Sequence, residues 1–133
     1  MAWQLDEVEV VRAFIDPKRR ERYLEFLATP KRRVKFISQL AHFKALNPNW
    51  LVGIPPNQQN LSSLIESLTG MGAGPRCRVI SENLELDARE LDLRIALEET
   101  LGRQMGTIIS CIAGRLGYFE DEDARYILRR NAL

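Results

Sequence analysis

The 133-residue chain is 45% hydrophobic and 28% charged, the balance of an ordinary globular domain large enough to bury one sizeable core. Nineteen basic and eighteen acidic side chains leave a net charge of +1, which excludes a global field able to hold a polyanion or a membrane. Two cysteines are too few for a disulfide scaffold, and no apolar run approaches a membrane span, so free thiols and a cytoplasmic location are expected.

The opening Met1 to Glu7 has neither a basic flank nor an apolar core, so no leader is expected there. Leu5, Val8, Val11 and Ile15 then fall at helical spacing and predict a helix over about 6–15. Asp16-Pro17 and Thr29-Pro30 each set a capping side chain before a proline, where the missing N–H costs nothing. The helices they open are expected over about 17–28 and 30–46, the second carrying Val34, Ile37, Leu40 and Ala41 as its apolar stripe. Asn47-Pro48-Asn49 stops it.

Trp50 to Ile54 reads as a strand or a buried loop, closed by Pro55-Pro56. Asn57 is expected to cap the next helix, in which Leu61, Leu64, Ile65, Leu68 and Met71 form the apolar stripe and Gly70 or Gly72 ends it. Arg76 to Ser81 reads as a strand, and 83–90 as a turn-rich connection with a candidate strand at Leu84–Leu86. Asp92 caps a helix carrying Leu93, Ala96, Leu97 and Leu101, closed by Gly102.

Residues 106–130 are written as a meander: three runs rich in β-branched and aromatic residues, parted by Gly114 and by Glu120 to Asp123. The fold class expected is α+β, a single domain over 1–133. It has a helical first half and about five helices on a small, mostly antiparallel sheet of about four strands.

Candidates for chemistry are weak. Cys111 shares a strand face with Ile109 and reads as a buried thiol, while Arg76 and Arg78 point away from Cys77. His42, the single histidine, falls with Lys35, Ser38 and Gln39 on the polar side of its helix and is the best acid/base candidate near neutral pH. Glu120, Asp121, Glu122 and Asp123 lack the spacing of a calcium loop and read as a solvated turn, so no metal site is assigned. No zinc spacing, nucleophile elbow or phosphate loop occurs, and no cofactor is expected.

The charge is uneven: residues 1–50 hold ten Lys or Arg against six Asp or Glu, while 76–133 hold nine against eleven. Lys18, Arg19, Arg20, Arg22, Lys31, Arg32, Arg33 and Lys35 lie in the first turns of their helices, where the dipole disfavours cations. That placement points to a phosphate or an acidic partner. The near-neutral total weighs against nucleic acid.

The leading expectation is therefore a non-catalytic binding or interaction module that meets a protein partner or a second copy of itself. Arg115, Tyr118, Glu120 and Arg125 are its surface candidates, with Trp3, Trp50, Tyr126, Arg129 and Arg130 as further aromatic and arginine anchors. Strand alternation places Tyr118 and Glu120 together and leaves one sheet face polar-aromatic and open. Two alternatives stand beside it. One is an enzyme working at the meander through Cys111, Ser110, Arg115, Glu120 and His42; the other is nucleic-acid binding through 18–35.

Overall fold

The structure, a computed structural model, describes the backbone of residues 2–130 and the side chains from Asp6 to Arg130; Trp3 and Leu5 fall outside those described side chains. Five α-helices and six strands make an α+β domain: α1 (Ala2–Phe14), α2 (Pro17–Phe26), α3 (Pro30–Gln39), β1 (Leu51–Gly53), α4 (Leu61–Gly70), β2 (Arg76–Ser81), β3 (Glu90–Asp92), α5 (Leu93–Thr100), β4 (Thr107–Ile112), β5 (Leu116–Glu120) and β6 (Arg125–Arg129). No described helix is long and apolar enough to cross a membrane.

The caps are the expected ones. Asp16 accepts the amide of Lys18 at 2.9 Å, Thr29 Oγ1 that of Arg32 at 3.1 Å, and Asp92 that of Arg94 at 2.9 Å. One cap differs: Asn60, not Asn57, opens α4, its Oδ1 accepting the amide of Ser63 at 2.9 Å. Asn57 instead sits in the 3₁₀ turn Pro56–Gln58, because Pro55 and Pro56 fix the chain there before the helix can start.

The sheet is wholly antiparallel, in the order β1-β6-β5-β4-β2-β3. It exceeds the expected four strands by two three-residue edges, β1 and β3; the candidate strand at Leu84–Leu86 is instead turn. Both faces are covered. On one, Ile80, Ile108, Phe119 and Leu128 pack against Val10, Phe14, Tyr23 and Phe36 of α1–α3; on the other, Val79, Ile109, Tyr118 and Ile127 pack against Leu64, Leu68, Ala96 and Leu97 of α4 and α5. The open polar-aromatic face expected from alternation does not exist: Tyr118 and Glu120 are both 0% exposed.

α3 ends at Gln39, short of the expected 46, and for a tertiary reason. Leu40–His42 tightens into a 3₁₀ turn and Phe43 is extended. The chain then runs beside the end of α1, with Ile15 bridged to Leu46, and the Asn47 amide donating to the Phe14 carbonyl at 2.7 Å. Gly106 lets this happen, since a Cβ there would lie 2.0 Å from the Leu40 carbonyl oxygen.

Candidate functional site

Two elements distant in sequence meet at the end of α3. The β5–β6 turn carries Asp121, Glu122 and Asp123 to the 3₁₀ turn that carries His42. Asp121 is the anchor: it is 5% exposed, its Oδ1 accepts the amides of Asp123 and Ala124, both at 2.8 Å, and its Oδ2 accepts the amide of Phe43 at 3.2 Å. The four carboxylates are thus not one solvated turn. Glu120 and Asp121 are buried, while Glu122 and Asp123 are exposed.

The exposed pair closes on the histidine. Asp123 Oδ2 stands 2.9 Å from His42 Nδ1 and Glu122 Oε1 2.8 Å from Nε2, so each ring nitrogen faces a carboxylate. The bond to Asp123, then the charge of Glu122, raise the histidine above its ordinary pKa. Beside them opens a cleft of about 240 Å³, lined by His42, Phe43, Lys44, Phe119, Asp123 and Tyr126 among others. Its Phe43 and Phe119 rings pack at 5.9 Å, giving an aromatic wall. Arg19 Nη1 donates to the Lys44 carbonyl at 3.4 Å, so the cleft's rim continues into α2.

A larger cavity of about 400 Å³ lies between α4 and α5, lined by Ile65, Thr69, Ala73, Pro75, Asp92 and Arg94. Its one carboxylate, Asp92, is occupied as the cap of α5. The smaller cleft is where titratable groups converge, and it is the better candidate.

The remaining sequence candidates scatter. Glu120 is a structural carboxylate: it accepts from the Tyr118 hydroxyl at 2.8 Å and the Gly102 amide at 3.0 Å, with Arg125 Nε 3.3 Å away. Burial and the Glu120 charge together push the Tyr118 phenol up. Arg125 also reaches Gln59 at 3.5 Å, and Arg115 is exposed in the β4–β5 turn. Cys111 packs with the α4–α5 core, on the opposite side of the sheet from Phe43, so it does not join His42 in one site. Burial pushes its thiol, and that of Cys77, up to about 12.

Among the basic residues, Lys18, Arg19, Arg22, Lys31, Arg32 and Lys35 are exposed, and among the described residues none of them pairs with a carboxylate. Arg33 is not part of that surface. It is 11% exposed and turns inward, donating from Nε to Glu7 at 2.9 Å and from Nη2 to Asp87 at 3.0 Å. Comparison of the chain with protein-family models, curated proteins and solved structures finds no match.

The sequence singles out His42 and the exposure of Glu122 and Asp123, but not that both close on the imidazole. A faint signal was present in the run of four carboxylates, Glu120 to Asp123, in a chain with a single histidine, His42. Phe43, Phe119 and Tyr126 are placed together only by the sheet.

Proposed function

We propose that the protein is a non-catalytic binding module, and that its recognition site is the cleft between the end of α3 and the β5–β6 turn. The observation that carries this reading is the pair of carboxylates on His42. In this arrangement each ring nitrogen faces a carboxylate, and neither is turned toward a substrate as a general base would be. The thiols, held protonated and packed against the core, offer no nucleophile to replace it.

The cleft's size and charge favour a protein segment as occupant. At about 240 Å³ it falls below the roughly 300–1,000 Å³ of small-molecule sites, yet it accepts one aromatic or branched side chain. One rim is acidic, through Glu122 and Asp123, and the other basic, through Lys44 and Arg19. A polyphosphate would meet repulsion on the first rim; a peptide bearing an apolar anchor and charges of both signs would not.

The test is fragment mapping by two-dimensional NMR, with indole, phenol and short aromatic peptides as probes. Amide shifts clustered on His42 to Leu46 and on Phe119 to Tyr126 are expected. Shifts centred on Ile65, Thr69 and Leu93 would move the site to the α4–α5 cavity and end this reading.

A further inference from the structure

We infer that His42, Glu122 and Asp123 form a binding site for a divalent first-row transition ion, on the outer rim of the cleft and independent of what occupies it. Three donors of two kinds converge there from two elements: an imidazole from the 3₁₀ turn after α3 and two carboxylates from the β5–β6 turn. One ligand atom from each lies within 4.8 Å of the others. Neighbouring ligands at right angles around an ion, each at about 2.0–2.1 Å, stand about 2.9 Å apart, whereas a tetrahedral pair stands about 3.4 Å apart. The 2.9 Å from His42 Nδ1 to Asp123 Oδ2 matches the first, while Glu122 Oε1 stands 2.8 Å from the other ring nitrogen, Nε2, and reaches the same ion only by swinging across.

Two further observations bear on the ligand. Glu122 and Asp123 each have the imidazole as ion-pair partner. The site also borders open space, since His42 and Asp123 line the cleft, which leaves room for water to complete the coordination. The scaffold beneath is fixed, because buried Asp121 ties the Asp123 and Ala124 amides to that of Phe43.

The donor set selects the ion class. Imidazole with carboxylates suits Ni²⁺, Co²⁺, Cu²⁺ and Zn²⁺, while Ca²⁺ and Mg²⁺ prefer all-oxygen sites. A single ion uses one ring nitrogen, so the carboxylate facing the other must swing, which two exposed side chains do freely. The ion displaces the proton held between imidazole and carboxylate, and binding therefore strengthens as pH rises.

The test uses the untagged full chain, stripped by chelator, and isothermal titration with Ni²⁺ and Co²⁺. One ion per chain is expected, with the weak visible absorption of octahedral Co²⁺. His42→Gln should weaken binding by at least about tenfold, and Glu122→Gln or Asp123→Asn by several-fold, with metal-free melting at about pH 8 unchanged in all three. Strong tetrahedral Co²⁺ absorption, no binding at millimolar ion, or equal affinity in His42→Gln would overturn the site. Fragment mapping in chelator tests the cleft separately, so either reading can fail while the other stands.

Discussion

Asp121 and Phe43 are joined across 78 residues by one hydrogen bond, the buried carboxylate accepting the amide of a residue that has just left a helix. Two amides of its own turn share that carboxylate. Asp121→Ala therefore strips three N–H groups of their acceptor. At about 1–3 kcal/mol for each group left unsatisfied and buried, with some regained from water, a loss of roughly 3 kcal/mol in urea unfolding is expected. Asp121→Asn, which keeps one carbonyl oxygen, should fall between wild type and alanine. A loss below about 1 kcal/mol would show that solvent satisfies the turn unaided.

The ion network of Arg33 with Glu7 and Asp87 makes the second test. Their side chains are 11%, 5% and 11% exposed, and they fasten α3 to α1 and to the turn after β2. Removing the cation leaves two carboxylates facing each other with little water. Arg33→Ala should cost about 3–5 kcal/mol, while the neighbouring exposed Arg32→Ala should stay within about 0.5 kcal/mol. Equal effects in denaturant melts would refute the assignment of Arg33 to the interior.

His42 should titrate above its ordinary value of about 6.5 in chelator-treated protein, followed by NMR of the ring protons. Asp123→Asn and Glu122→Gln should each bring it back down, Asp123 the more, since its hydrogen bond is the first cause of the shift. A folded-state value raised above the unfolded one contributes stability at pH below the unfolded value, and that contribution is lost as pH rises through the folded value. The difference in stability between wild type and His42→Gln should thus be larger below about pH 6 than above about pH 8. An unshifted His42 in wild type would refute the pairing of its ring with Asp123 and Glu122.

Both thiols should resist alkylation. With Cys77 and Cys111 pushed up to about 12 by burial, almost no thiolate exists at about pH 8. Mass spectrometry after iodoacetamide should find the native chain unmodified and the urea-unfolded chain carrying two adducts, one for each cysteine. Rapid native labelling of the half-buried Cys111 would place its sulfur at the surface rather than against the α4–α5 core.

What the residues disclosed beforehand was local. Asp16-Pro17, Thr29-Pro30 and Asp92 marked helix starts because a cap is a bond between near neighbours. The β2 strand came out at the expected residues, and the α+β class held. Partnerships set by tertiary approach were beyond reach: the early end of α3, the inward turn of Arg33, the meeting of His42 with Glu122 and Asp123. The covered second face of the sheet was legible in principle. Val79-Ile80, Ile108-Ile109, Tyr118-Phe119 and Ile127-Leu128 are adjacent apolar pairs, the mark of strands buried on both sides, and simple alternation conceals them.

The strand order has a consequence for how the chain acquires its shape. The aromatic cluster of Tyr23, Phe36 and Phe43 comes from residues 23–43, but apart from the edge strand β1 the strands it packs against begin at residue 76, and the central ones at residue 107. During synthesis α1–α3 therefore cannot bury that cluster fully until the strands from β4 onward have been made. The hairpins β4–β5 and β5–β6 link near neighbours and can zip quickly; the pairing of Leu51 with Leu128 closes the longest loop and completes the sheet edge. A fragment stopping before β4 would lack Ile108, Phe119 and Leu128, the greater part of the sheet surface on which α1–α3 settle.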